Sequence, residues 1–87
     1  MTKQEVGVLV QKYLDANPLG DITFAVLPDE VQRERYSWSV PVQPSRQLQT
    51  MYAYYEVLAE VETQIEEREH VIILFVPVYE EETALAA

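Results

Sequence analysis

The chain has 87 residues, 48% of them hydrophobic, with no cysteine and a single histidine. That is room for one domain burying only about 60–65% of the surface its unfolded form exposes, and it excludes disulfides, thiolate chemistry and a Cys/His zinc site. A net charge of −9, from 15 acids against 6 bases, argues against direct binding to nucleic acid or to an anionic membrane.

The charge is polarised. Residues 1–55 are nearly balanced, whereas Glu56, Glu60, Glu62, Glu66, Glu67, Glu69, Glu80, Glu81 and Glu82 face only Arg68 in the remainder. The simplest reading is a solubilising surface. Residues 1–5 lack the charged region and apolar run of a secretory signal. The longest apolar run, residues 71–79, is about half the ~20 residues a membrane span needs. A cytoplasmic location is therefore expected.

In chain order, Thr2 and Glu5 form a capping box that opens a helix over residues 3–17. Val6, Leu9, Val10, Tyr13 and Leu14 make its apolar stripe, while Lys3, Gln4, Gln11, Lys12 and Asp15 are expected in water. Pro18 and Gly20 stop it. Gly7 lies within the pattern at a cost of about 1 kcal/mol relative to alanine, which closer packing would offset.

Residues 21–27 read as a first strand with two fairly apolar faces, suggesting an interior place in the sheet, and Pro28, Asp29 and Glu30 signal a turn. Residues 33–42 read as a second strand, with Tyr36, Trp38, Val40 and Val42 on its buried face. Pro41 donates nothing to a ladder, which favours an edge strand or a strand end. A long helix over residues 47–69, capped by Ser45, buries Leu48, Met51, Tyr54, Tyr55, Leu58, Val61 and Ile65. Residues 71–79 form a third strand, apolar on both faces, and residues 80–87 a flexible acidic tail.

The expected fold is α+β, in the order α-β-β-α-β. One domain spans residues 1–79, with two helices on one face of a small three-stranded mixed sheet. The expected strand order is second–first–third. It leaves the third strand with an unpaired apolar edge, a liability unless covered, for example by the same strand of a second copy.

No constellation carries chemistry. His70 lies four residues after Glu66, but two ligands do not make a metal site, and a histidine at a helix end interacts well with the dipole. Ser37, Ser39 and Ser45 lack an activating base other than His70 and sit in no nucleophile elbow. Glu66-Glu67 and Glu80-Glu81-Glu82 read as solvated charge. No glycine-rich loop for phosphate or calcium exists, since the only glycines are Gly7 and Gly20. No catalytic residue, cofactor or metal is expected.

The aromatics are the suggestive feature. Tyr52, Tyr54 and Tyr55 point in adjacent directions around the long helix, so they cannot all enter one core. Tyr36 and Trp38 lie near Arg33 and Arg35 in sequence. Tyr, Trp and Arg dominate binding hot spots. Arg33, Arg35, Tyr36, Trp38, Tyr52, Tyr55, Glu56 and Glu60 form the candidate interaction surface, against the plainer reading that the aromatics fill a small core.

Two stretches carry a family likeness: Trp38-Ser39-Val40-Pro41-Val42-Gln43-Pro44, and the helical run from Tyr52 through Tyr55-Glu56 to Leu58-Ala59. With Glu66 to His70 they resemble a family of small uncharacterised bacterial proteins, which share a W-x-V-P-V-x-P strand end and a Y-x-Y-Y-E-x-L-A helix. The resemblance covers about half the chain and implies a bacterial α+β domain. It transfers no activity, cofactor or site residue. The expected function is a non-enzymatic protein-interaction module, self-associating, with Trp38→Ala expected to weaken association. The alternative is an acidic inhibitor or immunity-type protein that binds a basic partner.

Overall fold

The capping box at Thr2 forms: its hydroxyl accepts from the Glu5 amide at 3.1 Å, and the Glu5 carboxylate accepts from the Thr2 amide at 2.7 Å. Helix α1 (Lys3–Asp15) follows and buries Val6, Gly7, Val10, Tyr13 and Leu14. It ends two residues earlier than the periodicity suggested. The computed structural model describes residues 1–46 and 51–78. The remaining elements are β1 (Phe24–Val26), a 3-10 turn (Pro28–Glu30), β2 (Gln32–Arg33), β3 (Trp38–Pro44), α2 (Met51–Glu69) and β4 (Ile73–Pro77). The expected start of the long helix at residues 47–50, its Leu48, the end of the third strand at Tyr79 and the tail at 80–87 lie outside the described residues.

The fold is α+β, with two helices and a small sheet. β3 is its centre. β1 and β2 pair antiparallel with the two ends of β3, Val26 opposite Val42 and Arg33 opposite Trp38. β4 pairs parallel along the other side, Trp38 opposite Ile73 and Val42 opposite Pro77. β1 and β2 therefore lie end to end along one edge, and the sheet is three strands wide.

This corrects three expectations. The order second–first–third is replaced by one with β3 in the middle, and the first strand is at an edge, not inside. The expected second strand is broken by a tight turn over residues 34–37, closed by the Glu34 amide donating to the Ser37 carbonyl at 2.8 Å. Tyr36 stands at the tip of that turn, 80% exposed, and does not share a buried face with Trp38.

Pro41 was expected at an edge or a strand end, yet it sits within the central strand. The ladder shows why. Pro41 lies where β1 ends and the 3-10 turn begins. Its carbonyl accepts from the Leu27 amide, while the Leu27 carbonyl accepts from Glu30 at 3.0 Å. The one acceptor a strand residue at position 41 would serve is already occupied, so the missing N–H costs nothing there.

One face of the sheet carries the core. Phe24, Val26, Val40, Val42 and Ile73 are buried against Val6, Val10 and Leu14 of α1 and Tyr54, Leu58, Val61 and Ile65 of α2. α1 packs on β1 and α2 on β4. Tyr54 is fully buried, its ring stacked on Phe24 at 5.3 Å and its hydroxyl donating to the Val42 carbonyl at 3.3 Å. Tyr55, expected in the same stripe, is instead exposed, stacked on Tyr54 at 6.0 Å. Ser45 accepts from the Thr23 amide at 3.1 Å, tying the end of β3 to the start of β1.

Candidate functional site

The parallel ladder decides which groups of β4 point outward. The Trp38 amide donates to the Ile72 carbonyl and the Val78 amide to the Val42 carbonyl, both at 2.9 Å. Residues 72, 74, 76 and 78 therefore turn their backbone polar groups toward β3, and residues 73, 75 and 77 turn theirs to the free edge. At that edge the Phe75 amide donates to the Glu62 carboxylate of α2 at 2.9 Å, and Pro77 has no N–H to offer. At the strand edge that the sequence left open to a second copy, the Phe75 amide is thus capped from within the chain.

The β1 part of the opposite edge is capped in a similar way. Phe24 and Val26 turn their backbone groups away from β3. The Gln11 carboxamide takes both: its Nε2 donates to the Phe24 carbonyl at 2.8 Å, and its Oε1 accepts from the Val26 amide at 2.9 Å. One side-chain amide stands in for a neighbouring strand. Gln11 was expected in water and is half-buried here.

The second face of the sheet has no helix packed on it among the described residues, though Pro41 near its centre is buried. Alternation places Ala25, Gln32, Ser39, Pro41, Gln43, Leu74 and Val76 on it, with Ile72 continuing the row. None of these is charged. Leu74 is 51% exposed and Ile72 and Val76 are each 43% exposed. Sequence reasoning missed this face, although the two-sided apolarity of the third strand was its signal. The missed edge groups, Gln11 and Glu62, left no signal beyond being polar residues on amphipathic helices.

The residues singled out from sequence fall into two groups. Arg33, Arg35, Tyr36 and Trp38 gather at the start of β3, where they line a shallow cleft of about 270 Å³ with His70 and Ile72. The Arg33 guanidinium lies 5.7 Å from the Trp38 ring centroid and that of Arg35 5.8 Å from Tyr36. Neither arginine forms an ion pair among the described residues. Tyr52, Tyr55, Glu56 and Glu60 lie on α2, whose first described turns sit over the other end of β3, as the contact of Tyr54 with Val42 requires. Glu56 and Glu60 line a separate cleft with Asn17 and Pro18. Trp38 belongs to the covered side, packed against the core opposite Ile73. Trp38→Ala therefore reports on the core as well as on any interface.

His70 is the residue at which α2 stops. Its backbone is left-handed, φ 60°, and its amide donates to the Glu66 carbonyl at 3.0 Å, the geometry of a helix C-terminal cap. Tyr13 joins the helices. Its hydroxyl donates to Glu69 at 2.8 Å, and Asn17 donates to Gln64 at 3.2 Å. The bond to Glu69, then burial, then the negative charge of Glu69 raise the Tyr13 pKa above the ordinary tyrosine value, against an opposing effect of Arg68.

Among the described residues no cluster of three His, Asp or Glu side chains is placed to hold a metal ion, and no helix is long and apolar enough to cross a membrane. Searches of protein-family models, curated proteins and solved structures find no match to this chain.

Proposed function

We propose that the chain is a non-enzymatic protein-interaction module that self-associates through the bare face of its sheet. The observation that carries this reading is the exposed row Ile72, Leu74 and Val76 on an uncharged face of an otherwise strongly acidic molecule. Val8 of α1, Tyr36 of the turn and Tyr52 of α2 are more exposed still, but Ile72, Leu74 and Val76 stand in one row, which is how a contact surface differs from scattered apolar residues. The arginine–aromatic end adjoins this face through Ile72, which also lines the cleft of Arg33 and Arg35.

Light scattering coupled to size exclusion, at low and high salt, tests the reading. The expected mass is twice the 10.1 kDa of one chain, falling to a single chain in Leu74→Lys while the melting temperature is kept. A single-chain mass at every concentration and salt overturns self-association. The alternative, an acidic inhibitor of a basic partner, draws on exposed Glu56, Glu60, Glu66 and Glu67 of α2. Its signature is partner binding that weakens steeply with salt.

A further inference from the structure

Of the six basic residues in this acidic chain, Arg33 and Arg35 lie in one cleft at the start of β3 and form no ion pair among the described residues. Two segments distant in sequence make its walls: residues 33–38 on one side, and on the other the link 70–72 from α2 to β4. We propose that this cleft binds a small organic oxyanion, a carboxylate or a phosphate monoester. The acid group sits at Arg33 and Arg35, and the apolar body lies against Val71 and Ile72. The proposal goes beyond self-association and does not depend on it, since every wall of the cleft comes from one chain.

Three observations lead there. The first is how the arginines are held. The Arg33 guanidinium lies over the Trp38 ring, 5.7 Å from its centroid, and that of Arg35 over Tyr36 at 5.8 Å. A cation–π contact fixes a guanidinium in place while leaving N–H groups to grip an oxyanion in pairs. Glu34 lies between the two arginines in sequence, but its amide continues the ladder to Ser37. Strand alternation therefore sends its side chain to the face opposite Arg33. Ser37 and His70, which also line the cleft, add a hydroxyl and a ring N–H as further donors.

The second is size and lining. The cleft volume of about 270 Å³ falls just below the roughly 300–1,000 Å³ of sites for drug-sized ligands. It suits one ring or one short chain together with its acid group. Val71 packs against the core and Ile72 is partly exposed, so the wall facing the turn is apolar.

The third is the field of the whole molecule. A net charge of −9 repels a polyanion, whose many charges would also meet the exposed Glu56, Glu60, Glu66 and Glu67 of α2. A ligand with one acid group feels chiefly what lies within about 8 Å at physiological salt. The cleft presents it with two guanidinium groups against the single carboxylate of Glu34.

NMR titration of the full chain with phenyl phosphate and with benzoate tests this. The Nε–H signals of Arg33 and Arg35 and the indole signal of Trp38, the only tryptophan, should move together and saturate. Those of Arg68 and of Arg46, which is paired with Asp21, should stay in place. Inorganic phosphate, which has no apolar body, should bind at least about tenfold more weakly than phenyl phosphate. Arg35 is exposed in a turn, so Arg35→Gln should keep the melting temperature, and it should weaken binding at least about tenfold by removing charge-assisted hydrogen bonds. Saturation by either organic probe supports the site, and the tighter of the two identifies the acid group. Signals that drift without saturating, four arginines that move alike, or binding unchanged in Arg35→Gln would each overturn the proposal. None of these results alters the mass of the assembly, on which self-association is judged.

Discussion

The edges of this sheet and its outer face have been treated in opposite ways. Each edge spends a helix side chain on its unpaired backbone: the Gln11 amide on β1 and the Glu62 carboxylate on β4. The outer face carries no helix among the described residues and keeps Leu74 half exposed, though Pro41 on it is buried. Edge groups are the hazardous ones, because an open ladder accepts any strand, whereas a small apolar face is tolerated in water and selects a partner by shape and charge.

The largest expected effect contrasts the two sides of the sheet. Tyr54→Ala, on the covered side, should cost about 3–5 kcal/mol, whereas Leu74→Ala on the bare side should cost under about 0.5 kcal/mol in the monomer. Urea unfolding of both variants checks this, and comparable losses would mean that the outer face is covered after all. Next comes Gln11→Ala, which strands one carbonyl and one amide of β1 and should cost about 1–3 kcal/mol. A neutral result would mean that water replaces the side chain without penalty.

Glu62→Ala should cost less, about 1 kcal/mol, but it should change the kind of association. With the Phe75 amide freed, a strand-edge contact that survives Leu74→Lys is expected, visible as concentration-dependent mass in that double variant. No new association would show that Pro77 alone protects this edge. The smallest effect is confined to alkaline solution. Tyr13 holds its proton more tightly in the folded chain, through its bond to Glu69. As pH rises past about 10 the unfolded chain releases that proton first, so stability is full below this range and declines above it. Tyr13→Phe should flatten that decline, as measured by unfolding between neutral and strongly alkaline pH.

Much of the architecture could be read locally. The Thr2–Glu5 box and the spacing of Tyr54, Leu58, Val61 and Ile65 are signals within one helix, and they appear as expected. What escaped involves partners distant in sequence. Strand order is not encoded in a period of two, so nothing placed β3 at the centre. The turn over residues 34–37 contains no glycine, proline, asparagine or aspartate and only Ser37 among the residues that announce such turns. Gln11 meets β1 thirteen and fifteen residues away, and no composition or periodicity marks that role. Of the residues singled out as an interaction surface, the arginine–aromatic set is brought together. The α2 set stands apart from it, because the helix begins over the opposite end of β3.

The parallel pairing of β3 with β4 has a consequence for how the chain is made. Nearly thirty residues separate the end of β3 at Pro44 from the start of β4 at Ile73, about 1.5–6 s of elongation at 5–20 residues per second. Through that interval β1 and β2 already border one side of β3, while its other side shows the bare Trp38 amide and Val42 carbonyl to the surroundings. The nascent sheet is therefore most vulnerable before its final strand emerges, and a ribosome that stalls within α2 would leave the central strand of this protein as its sticky edge.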